Sequence, residues 1–284
     1  MSSITRFLPN NHVSYFIGKL VHLQLPQLIW TPLIKLFAES YKINLEEAEK
    51  PIDQYPSLGE FFVRRLKAGV RPLGQTWNVH PTDAVITQAG PITAGRLIQA
   101  KNKTYKLTEL LGEDGRDKQA EEKILQRFDG GAFLTYYLCP TDYHRVHSPV
   151  TGTIRKITHI PGRLWPVNLW STENVPDLFS VNERVCVEIE TDRGWVNVVF
   201  VGATNVGQIV LTVDPEIRGN QFLLSKPLVK EDLNIAIAKG EELGMFRMGS
   251  TVVMLYQKGA LDSSINLADF INQPVRVNSD FRIA

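Results

Sequence analysis

The chain has 284 residues, of which 43% are hydrophobic and 21% charged, and its net charge is +1. That length supports one large domain, or a domain with a small appendage, and the composition is that of a globular protein with a sizeable core. The charge balance excludes a global basic field for nucleic acid, and Cys139 and Cys186 offer neither a disulfide framework nor metal-ligand spacing.

Both cysteines sit in apolar runs and read as buried thiols, which suits a reducing compartment. No stretch reaches the roughly 18 uninterrupted apolar residues of a spanning helix. The N-terminus lacks the compact basic start and small-residue cleavage site of a signal peptide, so the chain is expected to stay in the compartment where it is made.

Residues 1–38 hold Arg6, Lys19 and Lys35 and no acidic residue. Val13, Phe16, Ile17, Leu20 and Val21 follow the spacing of an amphipathic helix, which Pro26 interrupts. Thr31-Pro32 then predicts an N-cap followed by proline at the first position of a second helix, carrying Leu33, Leu36 and Phe37. Two readings stand: helices packed on the core, or a helical pair lying on a membrane surface with its lysines and Trp30 at the headgroups. Acidic residues begin at Glu39 and cluster at Glu46, Glu47 and Glu49. With Pro51 and Pro56 they mark a boundary near residue 50, between a helical segment (1–50) and a β-rich domain (51–284).

From about residue 80 the pattern predicts strands. Residues 84–87, 132–138 and 152–157 are rich in β-formers and bounded by Gly, Pro and Asp. Residues 185–190 and 196–201 alternate, and 206–213 and 251–256 complete the set. Helix is expected only at 107–111 and 118–128 in this region. The fold class is therefore α+β, mainly β: an antiparallel sandwich or barrel core with an N-terminal helical segment.

Three elements could carry chemistry. Gly249-Ser250-Thr251 taken alone reads as a turn, and no G-x-S-x-G frame makes Ser250 a nucleophile elbow. Asp142-Tyr143-His144-Arg145-Val146-His147 follows a predicted strand. Its histidines share one face of a helical turn but not of a strand, and no further metal ligands lie at convincing spacing. Asp83, just before a strand, reads alone as a turn residue.

Further stretches accompany these elements in order: Phe61-Phe62-Val63-Arg64-Arg65-Leu66, Pro81-Thr82-Asp83, Gln99-Ala100-Lys101, the 142–147 block with Pro149, and Asn174-Val175-Pro176-Asp177-Leu178-Phe179. Asn182-Glu183-Arg184, Val201-Gly202-Ala203-Thr204 and Lys239-Gly240-Glu241-Glu242-Leu243-Gly244 follow. In this order, over roughly residues 40–260, the chain resembles the phosphatidylserine decarboxylases of the shorter bacterial, membrane-associated type.

That resemblance implies a chain that cuts itself and makes its own cofactor. Ser250 would attack the carbonyl of Gly249, a residue with no side chain to block the approach. His147 would be the base, oriented by Asp83, in serine–histidine–aspartate logic. The cut would leave a β chain (1–249) and an α chain (250–284), a heterodimer that could pair again, with a pyruvoyl group at residue 250 and no metal. As a Schiff base with the substrate amine, that group would draw electrons from the carboxylate bond. His144 would be the acid and carboxylate contact. The implied reaction turns phosphatidylserine into phosphatidylethanolamine at the cytoplasmic face of the cell membrane, without nucleic acid, and this favours the membrane reading of residues 1–38.

The chain departs from the family's pattern at Ala84, where glycine is usual, at Met248, where leucine is common, and at Pro166, where a serine is common. Proline offers neither hydroxyl nor N–H, so no substrate contact is carried over to Pro166. The alternatives are a pyruvoyl-dependent decarboxylase of a soluble amino acid, a hydrolase using Ser250, His147 and Asp83 on external esters, and a non-catalytic β module.

Overall fold

The computed structural model describes residues 18–100, 103–113, 115, 117–204, 208–217, 219, 226–247 and 250–282, and of residue 250 the backbone only. Of the expected first amphipathic helix, Val13, Phe16 and Ile17 lie outside the described residues; residues 18–21 are helical.

Helix α1 (Gln27–Ser40) starts one turn earlier than Thr31-Pro32 suggests, with Pro26 at its N-cap and Pro32 inside it. Its entry is fixed by contacts outside the helix: the Trp30 indole donates to the Leu23 carbonyl at 2.9 Å and the Gln27 amide to the Tyr55 carbonyl at 3.0 Å. Trp30, Ile34 and Ala38, spaced by four, bury one stripe against Tyr55 and Phe61. Tertiary burial therefore overrides the unfavourable interior proline. This small cluster crosses residue 50 and reaches Phe61 on α2 (Leu58–Phe62).

The body is one antiparallel sheet built from β1 (Ala84–Pro91), β4 (Ala132–Leu138), β6 (Gly152–Ile160), β7 (Arg184–Thr191), β8 (Gly194–Gly202), β10 (Leu228–Lys230), β11 (Ile235–Ile237), β13 (Ser250–Tyr256) and β14 (Pro274–Val275). Its order is β10-β6-β7-β8-β13-β4-β1-β14, with β11 also on β6. The sheet is open, so the barrel alternative is corrected. Its edges are the short β14 on one side and β10 and β11 on the other, and too little strand remains to join them. A second sheet orders β5 (Arg145–His147), β12 (Glu242–Phe246) and β9 (Ile209–Leu211), and β2 (Arg96–Ala100) pairs β3 (Lys103–Lys106). The 206–213 expectation survives only as β9, with 206 and 207 outside the described residues.

Helices α3 (Leu107–Leu110) and α4 (Lys118–Phe128) stand where expected, and two short helices, α5 (Leu169–Asn174) and α6 (Leu178–Val181), cross between β6 and β7. Strand β13 is central because its sequence is a continuous apolar run: Val252, Val253, Met254 and Leu255 are all buried, as a strand covered on both faces requires. Cys186 is buried, as expected, but Cys139 is only half-buried.

Candidate active site

The backbone of Ser250 opens β13, paired with Leu138 at the end of β4 and with Gly202 at the end of β8. After Leu138 the chain turns through residues 139–143 to His144 and β5. Strand β12 pairs with β5, Glu242 opposite His147 and Met245 opposite Arg145, and continues towards residue 250. The expected cut thus falls where the chain leaves the small sheet for the centre of the large one, with His147 on β5, the strand paired with β12, and His144 just before it. Gly249 lies outside the described residues.

His147 is held at both ring nitrogens. Nδ1 is 2.7 Å from the Gly240 carbonyl, and Nε2 is 3.0 Å from the Tyr143 hydroxyl. A carbonyl only accepts, so Nδ1 carries the proton and the Nε2 lone pair accepts from Tyr143. Burial lowers the His147 pKa below its ordinary value, which keeps the ring neutral and Nε2 unprotonated. Gly240 has φ +83°, a left-handed conformation that glycine adopts without strain, so a residue with a side chain would strain the backbone whose carbonyl sets this tautomer.

Asp83 is 1% exposed, and its partners are not those of a histidine-orienting carboxylate. Oδ1 accepts from Arg71 Nε at 3.1 Å and from the Val277 amide at 2.8 Å. Oδ2 accepts from Arg71 Nη2 at 2.7 Å and Arg276 Nη1 at 3.0 Å. Arg71 Nη2 also reaches Glu47 Oε2 at 2.8 Å. Asp83 and His147 share no hydrogen bond: cations and an amide occupy the aspartate, and the Gly240 carbonyl accepts from Nδ1. The link between the two runs through backbone instead. Pro81 O accepts from the His147 amide at 2.8 Å, and Thr82 Oγ1 donates to the carbonyls of Tyr143 at 3.2 Å and Arg145 at 3.3 Å.

His144 is fully buried, its ring against Phe62 with centroids 4.0 Å apart. Nδ1 donates to the Asp142 carbonyl at 2.9 Å, and Nε2 has no hydrogen-bond partner among the described residues. Burial pushes its pKa down to about 3, so the ring is neutral and Nε2 is a bare acceptor. It can donate only after first taking a proton. The backbone around both histidines is extended, so three residues' separation sends them to opposite faces, one to Phe62 and the other to Tyr143.

The segment bearing Pro166 is clipped to the same sheet end. Asn182 accepts from the Trp165 amide at 3.0 Å and donates to the carbonyls of Trp165 at 2.9 Å and Gly202 at 2.8 Å. Gln99 bridges α5 and α6, donating to Thr172 and Val175 and accepting from the Leu178 amide. Glu183 pairs with buried His159 at 2.8 Å. These polar residues of the recognised stretches build the scaffold. Phe62 and Tyr143 lie in the recognised stretches, which assign them no role, and Arg71 and Arg276 carry no signal in the sequence that connects them to the site.

The family model for phosphatidylserine decarboxylase matches residues 58–281. A phosphatidylserine decarboxylase proenzyme of Shewanella putrefaciens (strain CN-32 / ATCC BAA-453) is 42% identical over 263 residues, covering 90% of this chain and 88% of its own. The proenzyme of the same name from Shewanella loihica is 42% identical over 262 residues, with the same coverage. That of Shewanella pealeana is 41% identical over 262 residues, with 90% and 88% covered. By this likeness along nearly its whole length, the chain belongs to the phosphatidylserine decarboxylase family, a family of carboxy-lyases.

Proposed function

We propose that the chain is made as a precursor, cuts itself between Gly249 and Ser250, and then decarboxylates phosphatidylserine to phosphatidylethanolamine. The observation that supports this is the neutral His147 tautomer, its proton on Nδ1 and its Nε2 lone pair facing the Tyr143 hydroxyl, on the strand that pairs with β12, the last strand before the serine. Nε2 takes the Ser250 hydroxyl proton as the oxygen attacks the Gly249 carbonyl, and the peptide becomes an ester. Removal of the residue-250 α-proton expels the Gly249 carboxylate. The enamine left at 250 tautomerises, takes up one water and releases one ammonia, leaving a ketone. The C-terminal fragment, 250–284, stays bound because β13 lies between β4 and β8 of the N-terminal fragment.

The residues present fit a pyruvoyl group: it would remain joined to Thr251 at the head of a buried central strand, and the neutral His144 offers a buried Nε2 with no hydrogen-bond partner among the described residues. When present, such a group takes the substrate's amine and accepts the electrons left by the departing carboxylate. The substrate amine arrives as an ammonium and must shed a proton. The substrate's carboxylate, bound beside the ring, would raise the proton affinity of His144 Nε2, which then takes this proton, holds it out of water and returns it to the α-carbon after CO₂ leaves. A positively charged His144 would also attract the carboxylate.

Substrate and enzyme meet at the bilayer surface. No described helix is long and apolar enough to cross a membrane. Helix α1 nevertheless presents Leu28, Ile29, Leu33 and Leu36 outward, Leu28 at 89% exposed. Its inner Phe37 lies 6.4 Å from Phe62, the ring that covers His144. An apolar face one aromatic layer from the site suits peripheral docking on the cytoplasmic face. The test is decarboxylation of phosphatidylserine vesicles by the full chain, with and without phenylhydrazine, which captures ketones. The expected result is CO₂ release abolished by the reagent; release that survives it contradicts the reading.

A further inference from the structure

Residues 273–281 lie antiparallel along residues 74–86. The Ile86 amide donates to Gln273 at 3.0 Å, Asn278 to His80 at 2.9 Å, His80 to Ser279 at 3.1 Å and Gly74 to Asn278 at 2.8 Å. Within this zipper Arg276 and the Val277 amide reach Asp83. One residue on, Asn278 Oδ1 stands 3.3 Å from the position a Cβ on Gly240 would occupy. The same short segment therefore backs both Asp83 and Gly240, whose carbonyl fixes the His147 ring.

Asp83 directly follows Pro81-Thr82 in the chain, the two residues that carry the hydrogen bonds that hang β5 and His147 on this edge. Arg71 grips both oxygens of Asp83 with its planar fork and is only 11% exposed. A fork gripping two oxygens fixes direction as well as distance, which a lysine cannot copy.

We propose that Arg71 and residues 274–278 are the positioning device of self-cleavage. They hold Asp83 and Gly240 from one side, and these two set the place and tautomer of His147. Asp83 thereby acts on the base through backbone. This rests on the self-cleavage reading above. It also gives maturation an order: residues 274–278 are synthesised after the scissile bond, so the cut waits until they have docked.

The test follows cutting of the full chain with time during cell-free translation, by gel and intact mass, for wild type and four variants. Arg71→Lys keeps the charge but loses the fork and is expected to cut about tenfold more slowly, the scale of one charge-assisted hydrogen bond. Arg276→Met is expected to slow about threefold, its side chain being more exposed, while Arg276→Lys restores the single contact and the rate. Phe281→Leu weakens the tail's aromatic packing on His80 and Phe270 without touching Asp83, and is expected to cut at the wild-type rate despite a lower melting temperature. Arg71→Lys and Arg276→Met cutting as fast as wild type would overturn the proposal, and so would Phe281→Leu slowing equally with them. A wild-type chain that stays whole overturns the self-cleavage reading as well.

Discussion

At the scale of single residues, the site is governed by which nitrogen of each histidine is free. His147 Nε2 is engaged by the Tyr143 hydroxyl, a group that burial holds protonated. Tyr143→Phe removes that competitor for the lone pair, so self-cleavage is expected to persist at or above the wild-type rate, whereas His147→Ala leaves the chain whole. A time course by gel separates the two. Burial lowers the His147 pKa, and a base works when deprotonated, so the rate of cutting is expected to hold as pH drops through about 6.5, the ordinary histidine value. A rate already halved at pH 6.5 would contradict that. His144→Ala is expected to cut normally yet lose decarboxylation by about 10²-fold or more, the scale of a positioned proton-transfer group. Failure of His144→Ala to cut would move His144 into maturation.

At the scale of elements, β13 and α1 divide the work. On the proposed reading, strand β13 would keep the C-terminal fragment in the sheet after the cut. Helix α1 turns its apolar face outward, and residues this exposed contribute little to folding. Leu28→Ser with Leu36→Ser is therefore expected to leave the melting temperature within about 2 °C and to weaken binding to anionic vesicles about tenfold or more, since each leucine buried in lipid contributes about 1.5–3 kcal/mol. A sedimentation assay reads this; unchanged vesicle binding would remove α1 from the docking surface. The strands were legible because their runs are apolar on both faces or alternate cleanly, as in 132–138 and 185–190. The start of α1 was not, because Trp30 and Gln27 are fixed by Leu23 and Tyr55, contacts that local capping rules do not contain.

At the scale of the whole molecule, the resemblance proposes Asp83, His144, His147 and Ser250 for the site but does not give the partners that hold them. The partners of Asp83 lie 12 residues away at Arg71 and 193 away at Arg276, a separation that no local motif encodes. The open sheet was equally illegible, since closure depends on whether edge strands meet. Two histidines, His80 and His144, are buried neutral with pKa values pushed down to about 4 and about 3. Between those values and about 6.5 the unfolded chain binds protons that the folded chain refuses. Stability is therefore present above pH 6.5 and lost on acidification, by up to about 1.4 kcal/mol per pH unit for each histidine. Urea melts at pH 7 and pH 5 should show a lower midpoint at pH 5; equal midpoints would mean these rings are protonated in the fold.

The central claim is that the bond between residues 249 and 250 does not survive in the active protein. Intact-mass measurement of the purified, active full chain tests it most directly. The expected result is two fragments, 1–249 with a free C-terminal carboxylate and 250–284 with a ketone in place of the serine amine and no free N-terminus. A single uncut chain that decarboxylates phosphatidylserine, or a C-terminal fragment that begins with intact Ser250, would contradict it.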